Sequence, residues 1–440
     1  MKKIKMMMAA ALGVLVSCGS VKSGEEAIAA SRESKVVVAY VTSWSEVMPD
    51  PQYMTHINYA FGHVNESFNG VKIDNEERLR QIVDLRKQKP ELKVLLSIGG
   101  WGSGRFSEMA ANDEYRRAFA ADCDRVVKEF ALDGIDIDWE YPTSSMANIS
   151  SSPDDTENFT LLMQDIRAAI GNEKELTLAT VASARYIDFK AILPSVDFVN
   201  IMAYDMASAP KHHSALYPSG HSGDITSDGA VTAHLKAGVP PSKLVMGMPF
   251  YGRGGDGYPS FQDYNKVGNT DTQYTEKWDE VAQVPYLADK NDTLVFGFEN
   301  PRSLAIKCQY ILDKDLLGGM YWDYSGDNEQ GDLRRTVAEN LLGKPHKAKV
   351  LVLTERGGQH GGFTDAGLRW LAAEGAKGNF SITEINNARN ITEAYLSQFS
   401  LVIQLDFPPY TWPKEAEDAF VKYIEEGLSL IHISEPTRRS

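Results

Sequence analysis

The sequence predicts a (β/α)8 TIM barrel followed by a second, incomplete flavodoxin-like α/β domain. From Lys35 onward, eight short apolar runs alternate with amphipathic helical patterns over about 300 residues, a length typical of one barrel. A doubly wound open sheet is the alternative. It normally has fewer strands, and no GxGxxG fingerprint follows the first run. Both observations favour the closed barrel.

Each predicted strand is a short apolar run, as expected for parallel strands that are covered on both faces. The runs are residues 36–41, 56–61, 93–98, 134–139, 176–181, 198–204, 244–249 and 319–322. Helical patterns between them include residues 77–87, 114–130, 157–170 and 303–312. The connection from Tyr251 to Asp315 is long, and we expect part of it to form a small insertion beside the cleft.

A second α/β pattern begins after residue 344, so residues 35–344 are assigned to the barrel and residues 345–427 to a partial second domain. Its predicted strands are residues 349–353, 380–385 and 401–404, and its predicted helices are residues 364–374 and 414–426. The chain then reads LSLIHISEPTR. One choice of codons for these letters reproduces a transposase sequencing-adapter read. We therefore expect residues 428–440 to be foreign to the fold, and the natural chain to be longer.

The first residues predict export. MKKIK is a basic segment, and MMMAAALGVLV is an apolar run too short to span a bilayer. The run ends at LVSCG, where a cysteine followed by glycine resembles a bacterial lipoprotein signal. We expect removal of residues 1–17 and lipidation of Cys18. The lipid would anchor the protein to the cell envelope, on the periplasmic or cell-surface face of the outer membrane, through a tether at residues 18–34. Secretion without a lipid is the alternative.

The net charge of −15 is spread along the chain. Nucleic acids and anionic membrane surfaces bind basic patches, so the charge argues against both and fits a neutral or cationic substrate. Cys123 and Cys308 lie in separate predicted helices without CxxC or Cys/His spacing, which indicates core residues and neither a zinc site nor a disulfide. We expect no cofactor and no metal, and a monomer.

The stretch LDGIDIDWEYP, Leu132 to Pro142, carries three acids at alternate positions of the predicted fourth strand. Side chains alternate faces along a strand, so Asp136, Asp138 and Glu140 point into the barrel. Glu140 comes last and lies at the carboxyl-terminal rim, where barrel active sites are found. Repulsion and burial raise the pKa of at least one of these carboxyls, which suits a proton donor near neutral pH.

Two other interpretations of the three acids are an ion-paired structural row and a site for a hard cation. The strand contains no Lys or Arg that would pair with the carboxylates. A cation site needs several oxygen ligands that converge from loops, and the sequence shows no such cluster. Acid–base chemistry is therefore the favoured interpretation.

Five segments resemble glycoside hydrolase family 18, the chitinases and their relatives. LDGIDIDWEYP resembles the family's signature DGxDxDxE, and SIGGW at residues 97–101 resembles its SxGG run. MAYD at residues 202–205, GMPFYGR at 247–253 and GMYW at 319–322 are similar to its sixth, seventh and eighth strands. The family implies a TIM barrel and a substrate that contains N-acetylglucosamine. It also implies a retaining mechanism in which the substrate's acetamido group replaces an enzyme nucleophile.

The resemblance implies roles for the polar residues. Glu140 would protonate the glycosidic oxygen and later act as base toward water. Asp138 would hold the acetamido N–H and stabilise an oxazolinium ion, and Asp136 would share a proton with Asp138. Tyr204 would hydrogen-bond the acetamido carbonyl. Residues that would support the carboxylates or line the same sugar site are Ser97, Tyr40, Met202 and Asp205.

Glycan clefts need rings that stack on the C–H faces of sugars. Trp322 ends the eighth strand and is expected to form the floor of the cleaved-sugar site. Further substrate-binding candidates are Tyr40, Phe61, Trp101, Tyr141 and Tyr251. Arg253 would contact sugar hydroxyls or form a structural ion pair, while Trp44 and Trp278 stay unassigned. His212 and His213 are expected to be solvated in a polar loop.

Residues 349–353, the turn GGQHGG at 357–362 and residues 401–404 resemble the start of a ThuA-like (trehalose-utilisation-like) domain. Within that turn His360 would line a pocket or serve only the turn. In the barrel, DWEYP at residues 138–142 resembles chitinases more than the endo-β-N-acetylglucosaminidases that release N-glycans. Chitin or chitooligosaccharides are therefore the expected substrates. An endoglycosidase, a non-catalytic glycan-binding lipoprotein and a peptidoglycan hydrolase are the alternatives.

Overall fold

The computed structural model of the chain describes residues 35–255, 258–267, 273–342, 348–354, 361–378, 380–389, 391–405, 411–425 and 429–433. The predicted signal and tether with Cys18, the domain boundary at residue 344, and His360 lie outside the described residues. None of the helices in the described ranges is long and apolar enough to cross a membrane.

Eight parallel strands form a closed barrel, which confirms the predicted fold class. They are β1 (Val36–Thr42), β2 (His56–Val64), β4 (Lys93–Gly99), β5 (Gly134–Asp138), β6 (Glu175–Val181), β7 (Phe198–Met202), β8 (Leu244–Pro249) and β14 (Gly318–Trp322). Each strand pairs with the next in this order, and β14 pairs with β1 to close the ring. A short antiparallel strand, β3 (Val71–Ile73), extends the sheet beside β2.

The barrel strands alternate between two cores. On β1, Val38 and Tyr40 face inward and pack with Phe198 and Met320 inside the barrel. The residues between them face outward and join the larger core under the helices. This alternation follows from the two-residue period of a strand, and it places the inward side chains of all eight strands in one interior.

Amphipathic helices cover the outside of the barrel. They are α1 (Glu76–Val83), α2 (Phe106–Ala111), α3 (Asp113–Glu129), α4 (Asp155–Ile170), α5 (Phe189–Ile192), α6 (Ser227–Lys236), α7 (Pro301–Asp313) and α8 (Asp332–Leu342). Helix α7 begins where the Asn300 side chain accepts the backbone N–H of Ser303 and the Ser303 side chain caps in return. Cys123 on α3 and Cys308 on α7 are free thiols in the core, as predicted.

The long connection after β8 contains the expected insertion. It forms an antiparallel sheet of β9 (Tyr251–Gly254), β10 (Gln262–Asp263), β11 (Thr275–Asp279), β12 (Val284–Ala288) and β13 (Leu294–Gly297). Only Phe250 separates β9 from β8, so the inserted sheet leaves the barrel at its carboxyl-terminal rim. The insertion therefore lies where barrel active sites are built.

The C-terminal residues form a second, parallel sheet in the order β16-β15-β17-β18. Its elements are β15 (Ala348–Thr354), α9 (Gly361–Gly378), β16 (Phe380–Ile385), α10 (Glu393–Leu396), β17 (Leu401–Leu405), α11 (Lys414–Glu425) and β18 (Ser429–Ile433). Residues 428–440 are expected to be foreign to the fold, yet β18 lies within them and pairs in parallel with β17. Strand addition at a free edge uses backbone groups, which every sequence supplies. The adapter origin of these residues stays a prediction.

Candidate active site

Three carboxylates lie at the carboxyl-terminal end of β5. Asp136 and Asp138 are buried on its inward face, while Trp139 points outward and stacks on Phe106 with ring centroids 5.3 Å apart. Glu140 follows the strand, is partly exposed and lines a cavity. The alternation predicted from the sequence is confirmed, and it brings the three acids together.

Four side chains from four different strands donate to Asp136. They are Tyr40 Oη at 2.8 Å, Ser97 Oγ at 2.8 Å, Thr177 Oγ1 at 2.5 Å and Asn200 Nδ2 at 3.3 Å. Ser97 and Thr177 are in register with Asp136 on the neighbouring strands β4 and β6. Burial raises the pKa of Asp136, and these four donors oppose the rise because they favour the carboxylate.

Asp138 has the opposite surroundings. Its Oδ1 is buried and accepts no hydrogen bond from the described residues. Burial is the largest cause that raises the pKa of Asp138 far above its usual range, and the neighbouring charges of Glu140 and Asp136 add to it. Two aspartates on one strand face thus differ in the number of donors that satisfy them.

The surroundings of Glu140 move its pKa toward neutral pH. Burial raises the pKa of Glu140 to about 7, with the charge of Asp205 acting in the same direction. A hydrogen bond from Tyr141 opposes the rise by stabilising the carboxylate. A carboxyl with this pKa carries its proton for a large fraction of the time at neutral pH, as a general acid requires.

Asp205 lies on the cavity wall in a left-handed backbone conformation, with φ of 54°. Arg253 donates hydrogen bonds to both of its carboxylate oxygens, through Nε at 2.7 Å and Nη2 at 2.5 Å. Burial acts to raise the pKa of Asp205, but Arg253 and His213 hold it well below its usual range. Arg253 is therefore an ion-pair partner that also lines the cavity, and its contact with sugar hydroxyls stays a prediction.

The expectation that His212 and His213 are solvated was wrong, because both are 1% exposed. His213 Nδ1 lies 3.4 Å from Asp205 Oδ1, and His212 Nε2 lies 3.2 Å from Asp279 Oδ2 on β11. The polar segment passes between the barrel rim and the inserted sheet, and this packing buries the two rings. Sequence polarity alone does not reveal such a contact between distant parts of the chain.

A cavity of about 720 Å³ opens above Glu140. Of the predicted site residues, its lining includes Tyr40, Phe61, Trp101, Asp138, Glu140, Tyr141, Met202, Tyr204, Asp205, Tyr251, Arg253 and Trp322. Ser97 and Asp136 are fully buried and lie outside this lining. The predicted residues come from seven strands or their ends, and the fold gathers them at one place.

Trp322 is the centre of a group of rings on one side of the cavity. It stacks on Phe61 at 5.6 Å with an interplanar angle of 20°, and it lies 5.6 Å from Tyr40. Trp44, which the sequence left unassigned, lies 6.5 Å from Trp322 and lines the cavity. These rings form an apolar surface of the kind on which sugar C–H faces stack.

Further rings line the same cavity. Tyr141 stacks on Tyr186 at 5.5 Å and meets the edge of Trp101 at 6.5 Å. Tyr251 stacks on Phe261 at 4.7 Å, beside the inserted sheet. The cavity that Glu140 lines thus contains several groups of aromatic rings, which suits a chain of several sugar rings.

Two glycines of the SIGGW segment permit the close packing under the acids. Gly99 has φ of +132°, and a Cβ there would lie 2.0 Å from the carbonyl oxygen of Asp138. Gly100 has φ of +91°, and a Cβ there would lie 2.6 Å from the Phe61 ring. Any larger residue would displace the strand that carries the carboxylates or the ring beside Trp322.

Several residues of the site were not predicted from the sequence. Thr177 and Asn200 donate to Asp136, and the signal that identifies them is a polar residue at an inward position of an apolar strand. Phe261 and Arg185 line the cavity from loops, where no periodicity marks them. Trp278, also unassigned, packs under Arg302 at 3.8 Å and is not a wall residue. Within the described ranges, no group of three His, Cys, Asp or Glu side chains could hold a metal ion.

Comparison with known proteins agrees with this geometry. The sequence profile of Glycosyl hydrolases family 18 matches residues 36–327. Chitinase A1 of Niallia circulans is 29% identical over 70% of this chain, which spans 58% of that relative's length. Chitotriosidase-1 of Mus musculus is 31% identical, with 67% of this chain and 74% of the relative covered. A solved family 18 N-acetylglucosaminidase from Paenibacillus barengoltzii is 32% identical with a TM-score of 0.65, covering 70% of this chain and 100% of that one.

Proposed function

This chain belongs to glycoside hydrolase family 18 and is a glycoside hydrolase, and we propose that it cleaves β-1,4-linked N-acetylglucosamine polymers, chitin or chitooligosaccharides. The observation that carries the proposal is the pairing of Glu140, whose pKa is raised to about 7, with an unsatisfied Asp138 beneath an aromatic cavity. The chitinase relatives support the same substrate class.

Glu140 is the proposed general acid. Its carboxyl lines the cavity, so it reaches a bound glycosidic bond, and its raised pKa keeps the proton available near neutral pH. Glu140 gives this proton to the glycosidic oxygen as the bond to the anomeric carbon breaks. The sugar on the leaving side then departs with a free hydroxyl group.

The substrate's acetamido carbonyl oxygen is the proposed nucleophile. It bonds to the anomeric carbon as the glycosidic bond breaks, which gives a cyclic oxazolinium ion and replaces an enzyme carboxylate by proximity. Tyr204 would donate to that carbonyl oxygen. In the described structure the Tyr204 hydroxyl makes only a long contact, 3.7 Å to Met320 Sδ, so its proton is available for the substrate.

Asp138 is the proposed partner of the acetamido N–H. Four donors already satisfy Asp136, so the proton shared by the two aspartates resides on Asp138 in the resting enzyme. The unpartnered Oδ1 of Asp138 would then accept the acetamido N–H. As positive charge develops on the oxazolinium ion, the proton shifts toward Asp136 and Asp138 becomes the stabilising anion.

Hydrolysis completes the cycle. Glu140, now a carboxylate, takes a proton from water while the water oxygen bonds to the anomeric carbon and the oxazolinium ring opens. Two inversions at that carbon give overall retention. Glu140 regains its proton, so the same residue serves as acid and then as base.

Product analysis of the full chain tests this proposal. We would incubate it with chitohexaose and, separately, with an N-glycosylated protein, with Glu140→Gln as the control. Short N-acetylglucosamine oligomers that are lost in the variant are the expected result. Release of single N-acetylglucosamine units would also support the proposed substrate. It would indicate an N-acetylglucosaminidase, the activity for which the Paenibacillus barengoltzii relative is named. Released N-glycan with intact chitohexaose, or no product from either, would refute the proposed substrate.

We also propose that the protein is exported and anchored through a lipid on Cys18. The basic and apolar residues before LVSCG support this. In a bacterial host that processes lipoproteins, the wild-type chain should partition into the detergent phase after Triton X-114 extraction, and Cys18→Ser should stay in the aqueous phase. Equal partition of both chains would refute the anchor.

For residues 345–427 we propose a ThuA-like half-domain, supported by the parallel order of β16, β15 and β17. We further propose that the residues after it derive from a sequencing adapter. Sequencing the source DNA past codon 427 tests both proposals. A continuous genomic read through LSLIHISEPTR would refute the adapter origin. A natural continuation without further βα units would refute the half-domain.

A further inference from the structure

A chain of three hydrogen-bonded side chains lies outside the proposed catalytic machinery. His63 Nδ1 is 2.8 Å from Ser103 Oγ, and His63 Nε2 is 3.0 Å from Asp74 Oδ2. Because the Asp74 carboxylate can only accept the Nε2 proton, Nδ1 is left to accept the Ser103 hydroxyl proton. His63 belongs to the barrel strand β2, so the two neighbours are fixed to a rigid element.

Ser103 ends the turn at residues 99–103, which follows β4 and carries Trp101. Gly99, Gly100 and Gly102 in this turn have φ of +132°, +91° and +81°. Three glycines in the left-handed region leave the turn with much backbone freedom to lose on folding. The turn therefore needs contacts beyond its own backbone to hold one conformation.

Packing does not fix the Trp101 side chain. It is 61% exposed, and its ring contact among the described residues is the edge of Tyr141 at 6.5 Å. Backbone hydrogen bonds hold the start of the turn, from Gly100 N to Asp138 O and from Ser103 N to Gly100 O, both 2.9 Å. The side-chain attachment at the far end is the Ser103–His63 hydrogen bond.

We propose that His63 is a positioning residue that acts through Trp101. With Ser103 and Asp74 it ties the end of the glycine-rich turn to β2. This holds the Trp101 ring as a wall on which a sugar of the bound chain stacks. The inference rests on the proposed function, since it takes an N-acetylglucosamine oligomer as the ligand that the ring meets. His63 would thus assist the proposed function without contacting the reacting atoms.

Ser, His and Asp side chains that are hydrogen-bonded in this order also form the catalytic triad of serine hydrolases, in which the serine is the nucleophile. Two observations favour the positioning role. Ser103 is not among the residues that line the cavity, and the Asp74 side chain is 40% exposed, whereas the carboxylate of a nucleophilic triad is buried. Kinetics of variants at His63 and Ser103 separate the two roles.

The first measurement is a double-mutant cycle on the full chain, with chitohexaose as substrate. His63→Ala and Ser103→Ala should each raise KM about five- to tenfold, with kcat within about twofold, because one tethering hydrogen bond is lost. His63→Gln should restore most of the affinity, since its amide accepts from Ser103 and donates to Asp74. In a Trp101→Ala background, His63→Ala should change KM by less than about twofold.

The second measurement is backbone hydrogen exchange of residues 99–105 in the wild type, His63→Ala and His63→Gln. His63→Ala should speed exchange and His63→Gln should not. Unchanged exchange, or KM effects that multiply fully in the Trp101→Ala background, would overturn the proposal. Hydrolysis of p-nitrophenyl acetate that disappears in Ser103→Ala would overturn it in favour of a nucleophile. A wild type that does not cleave chitohexaose would refute the proposed function, while the exchange rates still decide whether His63 tethers the turn.

Discussion

Asp136 and Asp138 lie two residues apart on the same face of β5, yet their surroundings are opposite. Asp136 accepts hydrogen bonds from four side chains, while Asp138 Oδ1 accepts none from the described residues. One strand face thus presents a satisfied carboxylate below an unsatisfied carboxyl. In the proposed mechanism this difference decides which aspartate holds the shared proton, and it predicts different outcomes for the same chemical change at the two positions.

Asp136→Asn should lower the free energy of unfolding at pH 7 by about 1–3 kcal/mol, because its amide group meets donors where a carboxylate oxygen accepted them. Asp138→Asn should leave stability equal or higher. The raised pKa of Asp138 means that the folded protein loses stability as pH rises above the pKa of the unfolded chain, and an amide removes that loss. Urea unfolding at pH 7 measures both. A larger loss in Asp138→Asn would contradict the proton assignment.

Glu140→Gln should lower kcat on chitohexaose about 10²- to 10⁴-fold and leave binding within about threefold, since the amide keeps the shape but cannot give a proton. Turnover assays and calorimetric titration with the oligomer measure the two effects. Glu173→Gln, at an exposed residue outside the cavity lining, is the matched control and should behave as wild type. Retained turnover in Glu140→Gln would show that Glu140 is not the general acid.

The alkaline limb of kcat/KM should fall near pH 7, where Glu140 loses its proton. Asp205→Asn removes a negative charge that raises the pKa of Glu140, so the limb should move to lower pH. Tyr141→Phe removes a hydrogen bond that lowers this pKa, so the limb should move to higher pH. Asp154→Asn, at an exposed aspartate outside the cavity lining, should leave the limb unchanged. Shifts in the same direction for both cavity variants would contradict the assigned causes.

Lys307 and Glu299 form an ion pair that is 0% exposed on both sides, with Lys307 also donating to Ser214 O at 2.5 Å. Lys307→Met should cost about 3–5 kcal/mol because it strands a buried carboxylate. Adding Glu299→Leu should recover much of that loss. Urea unfolding measures each chain, and Lys314→Met at the exposed end of α7 should cost less than about 1 kcal/mol. A double variant as unstable as the single one would show that the cost is cavity formation.

The order of the barrel elements was determined by the sequence alone. Runs of apolar residues set all eight strands, and the two-residue period of a strand is enough to place Asp136 and Asp138 on one inward face. The polar segment at His212 carries no such signal. Its burial depends on the inserted sheet packing against the rim, a contact between residues far apart in the chain.

Local chemistry and periodicity thus determined where the three carboxylates and the aromatic rings occur along the chain, because both are properties of neighbouring residues. Only the tertiary structure decided how each group is tuned. The hydrogen bonds to Asp136, the Asp205 charge beside Glu140 and the Ser103–His63 hydrogen bond each bring together residues of separate strands or loops. Closing the barrel brings these groups within hydrogen-bonding distance. Electrostatic shifts depend on that distance and on burial, neither of which a linear sequence contains.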